Sequence, residues 1–411
     1  MAPLLDRDGI LLLSAKFLRA FAYGVLTVSL VVYLADTGFA PFQIGLVLSL
    51  AVAGGGLSTV LVILFSDRFG RRRSLLILSL LMALSGTILA LPPSLFLVGF
   101  GVLIGSISLT GGETGPFLSL EQSIIPEISG ERERNRAFSV YNFIGYAGLA
   151  LGSLAGVFPK ILRDQFGYSV RDSFLPVFLV VVLVALFLAI IYLGLSLKVE
   201  VIPSSRKKRI GLPRSSRSTV LKLSLLFSLD SFGGGFVIQS FISLWFYLQF
   251  QTELSSLSLI IATGQAVTAV SILVAGPVAD RFGLLNTMVY THIVSNVFLA
   301  SIAFAPTLPI ATGLYLARQS LSQMDVPTRQ AYTMAMVPMD ERTSAAGLTT
   351  LSRNLSQSIS PSIAGYLLQT LTVFPGTPFL FGGGIKIAYD LLLYRNFRHV
   401  TIPKETKPET V

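Results

Sequence analysis

The sequence predicts an all-α polytopic membrane protein in which twelve transmembrane helices form two six-helix, pseudo-symmetric bundles. Three observations carry this expectation. Apolar runs of about 20 residues, long enough to cross a bilayer as helix, recur along the whole chain. Hydrophobic residues make up 52% of the 411 and charged residues only 13%, well below the roughly 25% usual in soluble domains. Finally, the phrase Ser66-Asp67-Arg68-Phe69-Gly70, with Arg71, Arg72 and Arg73 behind it, returns 213 residues later as Ala279-Asp280-Arg281-Phe282-Gly283. Each copy stands between two apolar runs, as a tight turn between neighbouring membrane helices would.

The expected spans are 10–34, 43–65, 74–91, 96–118, 137–158, 173–195, 219–248, 255–278, 287–305, 310–337, 344–371 and 377–395. The first carries Lys16 and Arg19 and lacks a small-residue cleavage site, so it reads as a retained span and not a signal peptide. The fourth contains Gly111-Gly112-Glu113-Thr114-Gly115-Pro116, which predicts a kinked or locally unwound segment. The fifth presents Gly148, Gly152 and Gly156 at four-residue spacing, a smooth strip for close helix packing. Residues 196–218 form the long polar interruption, rich in Ser, Arg and Lys. The expected units are therefore a bundle over 1–195, a cytoplasmic basic linker over 196–218, a second bundle over 219–395 and a cytoplasmic tail over 396–411. The halves match further. Glu113 in the fourth span faces Asp325-Val326-Pro327 in the tenth, and Arg134-Asn135-Arg136-Ala137 before the fifth span faces Glu341-Arg342 before the eleventh. Six spans per half make these parallel repeats, with a site expected where they meet near mid-bilayer.

The net charge of +10 is a matter of topology. Arg68, Arg71 to Arg73, Arg132, Arg134, Arg136, the run Arg206-Lys207-Lys208-Arg209 and the C-terminal Arg395, Arg398, Lys404 and Lys407 all fall on one side of the expected bilayer. The other side holds Lys160, Arg163 and Arg171 beside Asp164 and Asp172. By the positive-inside rule both termini are cytoplasmic, and the localisation expected is a plasma or inner cell membrane. The partners expected are the lipid bilayer and a small-molecule substrate, with no nucleic acid, and a monomer is expected to suffice. Cysteine is absent and the two histidines, His292 and His399, lack metal-site companions, so no metal or cofactor is expected and both histidines read as structural. With no Gly-Lys-Ser/Thr loop and no clustered nucleophile or acidic pair, neither ATP-driven transport nor an enzyme is indicated.

The pattern Gly-x-x-Ala-Asp-Arg-x-Gly followed by basic residues, between the second and third of twelve spans, resembles the signature of the major facilitator superfamily. The first copy has Ile63 in place of the leading Gly but keeps its arginines. The second has Gly276, Ala279, Asp280, Arg281 and Gly283 but Leu284 and Leu285 in place of the basic pair. In that family the loops are regarded as a latch of the outward-open state. The resemblance therefore implies a gating role for Asp67, Arg68, Gly70, Arg71, Asp280, Arg281 and Gly283. Glu121, at the inner end of the fourth span, is the expected partner for Arg68 or Arg71. The alternative is a surface turn whose charges only set topology. A Gly-Pro-rich fifth span is associated with antiporters in the family, and Ser153 stands where the Pro would be.

Charges inside spans are costly and are functional candidates by default. Arg318, Asp325 and Arg329, separated by seven and four residues, are expected on one face of one helix, with Pro327 leaving the carbonyl of Gln323 free. The competing reading is a self-satisfied Asp325–Arg329 pair. Arg19 lies beneath Lys16 in a stripe with Tyr23 and Thr27. Asp230 sits at matching depth in the seventh span, so the two either pair across the central cavity or flank a substrate. Arg353 and Gln357 in the eleventh span, Asn142 in the fifth, and Glu113 complete the set expected to bind substrate or couple protons. Together these features predict secondary active transport of a small organic solute by alternating access, driven by a proton gradient through efflux by antiport. Uptake by symport is the alternative, and a receptor or lipid flippase on the same fold is the reading from another class.

Overall fold

A computed structural model describes residues 6–112, 115–200, 216–338 and 341–399. The basic linker run 206–209, Glu113 and the tail beyond His399 lie outside the described residues, as do the side chains of Asp67, Arg132, Arg134 and Arg136. Within them the chain is helical and carries no strand. This is what hydrocarbon demands of a backbone whose N–H and C=O groups find no water.

The first half comprises α1 (Arg7–Asp36), α2 (Pro41–Phe69), α3 (Arg71–Leu89), α4 (Leu95–Ile104), α5 (Pro116–Ala155), α6 (Phe158–Phe166) and α7 (Val170–Leu193). The second comprises α8 (Arg217–Gly235), α9 (Gln239–Phe250), α10 (Leu254–Phe282), α11 (Leu284–Ile302), α12 (Leu308–Gln319), α13 (Asp325–Ala335), α14 (Arg342–Thr370) and α15 (Thr377–Phe397). Several starts are capped as their sequences dictate. Asp6 Oδ1 accepts from the Gly9 N–H at 2.8 Å, and Ser94 Oγ from the Leu97 N–H at 3.2 Å, supplying partners to donors that a helix start leaves unpaired. The two signature glycines adopt the same left-handed backbone, Gly70 at φ +92° and Gly283 at φ +85°, so the duplicated phrase builds the same turn twice.

Seven helical stretches among the described residues are long and apolar enough to cross a membrane. Three expected spans are broken. The fourth is interrupted after α4 ends at Ile104, before α5 begins at Pro116, with Gly111 and Gly115 at positive φ. The seventh is split at 236–238, after Gly233-Gly234-Gly235, and the tenth at 320–324. Conversely, α5 joins the end of the fourth expected span to the fifth. It cannot be straight. Tyr141 Oη donates to Glu121 Oε2 at 2.5 Å, whereas twenty residues of straight helix would separate them by about 30 Å. The chain therefore doubles back between them.

Packing follows the repeat. In the first half α1 lies against α5 and α3 against α7, and in the second α8 lies against α14 and α11 against α15. The halves meet through α2 with α14 and α5 with α10, again equivalent pairs. The glycine strip of the fifth span serves packing, as expected. A Cβ on Gly148 would stand 2.6 Å from the Phe17 carbonyl, and one on Gly152 2.0 Å from that of Phe21.

Candidate functional site

Contacts joining the halves gather toward the end of the bundle opposite the signature turns. There α2 and α14 touch backbone to backbone: a Cβ on Gly45 would lie 2.4 Å from the Pro361 carbonyl, and one on Gly365 2.4 Å from that of Pro41. The Ser362 N–H donates to Ser49 Oγ at 2.9 Å. At the rim, Asp36 of α1 receives Arg163 Nη1 at 2.8 Å and the hydroxyl of Tyr247 from α9. Lys160 lies 2.6 Å from Asp164 and 3.5 Å from Glu253 of the other half.

Deeper in the first half is a fully buried ion pair. Arg19 Nη1 donates to Glu121 Oε1 at 2.9 Å and Nη2 to Oε2 at 2.6 Å, both side chains being 0% exposed. Tyr192 Oη donates to Glu121 Oε1 at 2.7 Å, and the guanidinium lies 4.6 Å over the Phe117 ring. The bidentate fork suits Arg against a carboxylate. Glu121 is thus engaged by Arg19 and not by Arg68 or Arg71. The expectation fails because the break after α4 and the reversal within α5 place Glu121 against α1, fully buried. Arg71 instead donates from Nη1 to the Val199 carbonyl at 3.3 Å, and its backbone N–H meets Glu200 Oε2 at 2.7 Å. Glu200 also accepts from the Arg72 N–H at 3.3 Å, so a carboxylate from beyond α7 offsets the dipole at the start of α3. Arg68, Asp280, Arg281 and Gly283 are exposed or at the rim, with Arg281 lying 5.4 Å over the Phe282 ring.

The second half holds the counterpart, with polarity reversed. Asp230 on α8 stands where Arg19 stands on α1. Its Oδ2 receives Arg329 Nη1 at 3.2 Å and its Oδ1 receives Lys386 Nζ at 2.5 Å. Arg329 also binds Asp325 at 2.8 Å. Arg19 and Asp230 therefore do not pair across the centre, because each finds a partner within its own bundle. Nor do Arg318, Asp325 and Arg329 share one helix: the break at 320–324 puts Arg318 on α12, where its Nη1 donates to Gln319 Oε1 at 2.7 Å. The Gln323 carbonyl is occupied by the Val326 N–H at 3.3 Å.

Between these clusters the halves enclose a narrow crevice lined by Gly55 and Gly56 of α2, Ser108 and Thr110 of the bend, and Asn354 and Gln357 of α14. It holds about 10 Å³, room for one water molecule. Arg353, one turn before Gln357, donates from Nε to Ser231 Oγ at 2.9 Å. Tyr23 donates to the Ser106 carbonyl of the bend at 3.0 Å, and Asn142 is half-buried on α5. Beside the bend, the Gln239 N–H reaches the Thr110 carbonyl at 3.4 Å, and Tyr315 donates to Gln239 Oε1 at 3.1 Å. Gln239 Nε2, Arg318 Nε and Gln265 Oε1 are buried without a hydrogen-bond partner among the described residues. Such groups cost roughly 1–3 kcal/mol each when left dry.

Sequence reasoning missed the tyrosines that close the first cluster, Tyr141 and Tyr192, and the group behind the second. His292 of α11 and Asp390 of α15 meet at 2.8 Å, with Asn296 Nδ2 on Asp390 at 3.2 Å. One signal was available: Lys386 and Asp390 stand one turn apart within an apolar run.

The family model described as Major Facilitator Superfamily matches residues 12–361 and, again, 231–410. The uncharacterized membrane protein YJR124C of Saccharomyces cerevisiae is 25% identical over 421 aligned positions, covering 94% of this chain and 93% of that one. Among solved structures, the nucleoside transporter NupG superposes with a TM-score of 0.71 at 15% identity, covering 96% of this chain and all of that one. A D-xylose-proton symporter gives 0.73 at 16% identity over 94% of this chain and 97% of that one. A POT family transporter in complex with 5-aminolevulinic acid gives 0.71 at 16% identity over 97% and 96%. At such identities these likenesses speak for the fold.

Proposed function

Because the chain belongs to the Major Facilitator Superfamily, we propose that it is a secondary active transporter which moves a small polar organic solute by alternating access, coupled to protons. Its helical segments then make twelve crossings in two bundles, with the signature turns, the 196–218 linker and both termini in the cytoplasm. One observation carries the reading: unpartnered Gln239 Nε2, Arg318 Nε and Gln265 Oε1 are buried in helices beside the junction of the halves. Unmet donors and an acceptor at that place fit a solute with hydroxyl, amide or carboxylate groups, which would supply the missing bonds. Arg353 and Gln357 on α14, with Asn142 on α5, extend that polar lining. With the signature end cytoplasmic, the contacts sealing the opposite end support an inward-facing member of the cycle.

Export by proton exchange is the first direction considered and uptake by symport the second. A thermal-shift screen against nucleosides, sugars, amino acids and organic acids would find the class, since a ligand of the folded state alone raises stability. Counterflow of a hit from preloaded proteoliposomes, with a pH gradient of either sign imposed afterwards, then reads carrier activity and direction. Absence of counterflow for every stabilising compound would refute the carrier reading.

A further inference from the structure

His292 is the one histidine within the helices of the second bundle, and everything around it concerns charge. Its Nδ1 lies 2.8 Å from Asp390 Oδ1, and its Nε2 lies 3.7 Å from Asp230 Oδ1. Asp390 is 0% exposed. Among the described residues its hydrogen-bond partners are this imidazole and the Asn296 amide, whereas Asp230 has Lys386 and Arg329. The hydrogen bond to Asp390 assigns the Nδ1 proton, as a carboxylate accepts. What Nε2 carries then decides its relation to Asp230. In a neutral ring a lone pair faces a carboxylate oxygen, and two acceptors repel. With one more proton the ring becomes a cationic bridge between two carboxylates.

We infer that the His292–Asp390 pair is a proton-binding site whose occupancy controls the ion pairs that hold α8. This rests on the carrier reading above and names its proton site. The charged and titratable groups that face the ring are Asp230 of α8 and Lys386, Tyr389 and Asp390 of α15. Asp325 and Arg329 of α13 lie behind Asp230, and Arg353 of α14 reaches the same region through Ser231. From α12 the contact is the Arg318 carbonyl, 3.5 Å from Ser295 of α11. Asp230, Asp325 and Asp390 balance Arg329, Arg353 and Lys386, so the group is neutral with a neutral ring and gains one positive charge with a proton.

The same oxygen, Asp230 Oδ1, is addressed by Lys386 at 2.5 Å and by His292 Nε2 at 3.7 Å. A protonated ring competes with Lys386 for it and loosens the tie between α8 and α15. Three residues separate α8 from α9, and Gln239 and Ser240 there hold the backbone of the other half at Thr110, Leu109 and Thr27. Proton binding behind the bundle is thereby linked to the junction of the halves, which is what coupling requires.

Full-length protein in lipid nanodiscs tests this with protons as the only ligand. With His399→Gln the chain keeps a single histidine, and its nitrogen NMR signals read His292 alone. We expect the Nε2 signal to respond to pH over the range scanned, with Nδ1 keeping its proton throughout. In parallel, spin labels at Arg73→Cys and Asn286→Cys, one on each half near the signature turns, report opening by electron-spin distance measurement. The wild-type background should shift its distance populations across that pH range, and His292→Gln and Asp390→Asn should each lose the shift while eluting as folded monodisperse protein. A ring that does not titrate, a wild type whose distances ignore pH, or variants that keep the response each overturn the inference. The carrier reading fails separately, by absence of counterflow: solute movement with pH-blind distances sinks this proposal alone, and a His292-dependent response without counterflow sinks the other alone.

Discussion

Neutralising Glu121 while leaving Arg19 in place should be among the most damaging conservative changes in the first bundle. Glu121 accepts four hydrogen bonds, two from Arg19 and one each from Tyr141 and Tyr192. In Glu121→Gln one oxygen becomes an amide that must face donors, and the guanidinium loses its counter-charge at 0% exposure. Two charge-assisted bonds at about 1.5–3 kcal/mol each agree with the roughly 3–5 kcal/mol expected for leaving a buried ion unpaired. Arg19→Gln should cost a similar amount for the mirror reason. The double variant strands no charge, so it should cost far less than the sum, with a coupling of about 2 kcal/mol or more. Unfolding of the four proteins by SDS titration in mixed micelles, followed by circular dichroism, completes the cycle. Single losses below about 0.5 kcal/mol, or additivity within that margin, would falsify the view that this pair holds α1 to the α5 segment.

Further outcomes follow from other contacts. In this cysteine-free chain Ser49→Cys with Ser362→Cys places two thiols across the junction of α2 and α14. Oxidation should cross-link them and stop counterflow, and dithiothreitol should restore it. Gly45→Leu has no space against the Pro361 carbonyl, so it should shift distance populations toward opening at that end, as read by spin labels flanking the rim. Asp36→Asn with Tyr247→Phe removes the half-buried rim clasp and should move the same populations in the same direction by a smaller amount, a solvent-screened surface pair being worth roughly 0–1 kcal/mol. Impermeant thiol reagent outside intact cells should label Ser169→Cys and spare Ser205→Cys, and the reverse pattern would invert the proposed orientation.

The class of fold was legible because membrane spans and duplicated turns are local signals: Gly70 and Gly283 demand the same φ wherever the rest of the chain goes. The glycine strip at Gly148 and Gly152 was readable for the same reason, since four-residue spacing fixes a helix face. Pairing was not. That Arg19 meets Glu121 depends on the break after α4, over 105–112, and on the doubling back within α5, neither of which periodicity measures. Asp230 misled in a related way: position along a helix says nothing of rotation about its axis, which decides whether a side chain looks to the centre or to its own bundle. His292 was passed over because a lone histidine in an apolar run has no spacing partner in sequence. Asp390 lies almost a hundred positions away.

The backbone meeting of Gly45 with Gly365 bears on how fast such a molecule can cycle. Side chains that interlock must leave one set of grooves and enter another when helices rock, and each hop is a barrier. Two glycine surfaces pressed together have no teeth. They resemble a plain bearing, on which α2 and α14 can roll through small angles while staying in touch. Close approach then gives dispersion contact without register, and the resistance to rocking falls on the rim contacts that cross between the halves, Tyr247 on Asp36 and Lys160 beside Glu253. The speed of the conformational cycle and its control would thus reside in different residues, so each could change in evolution without disturbing the other.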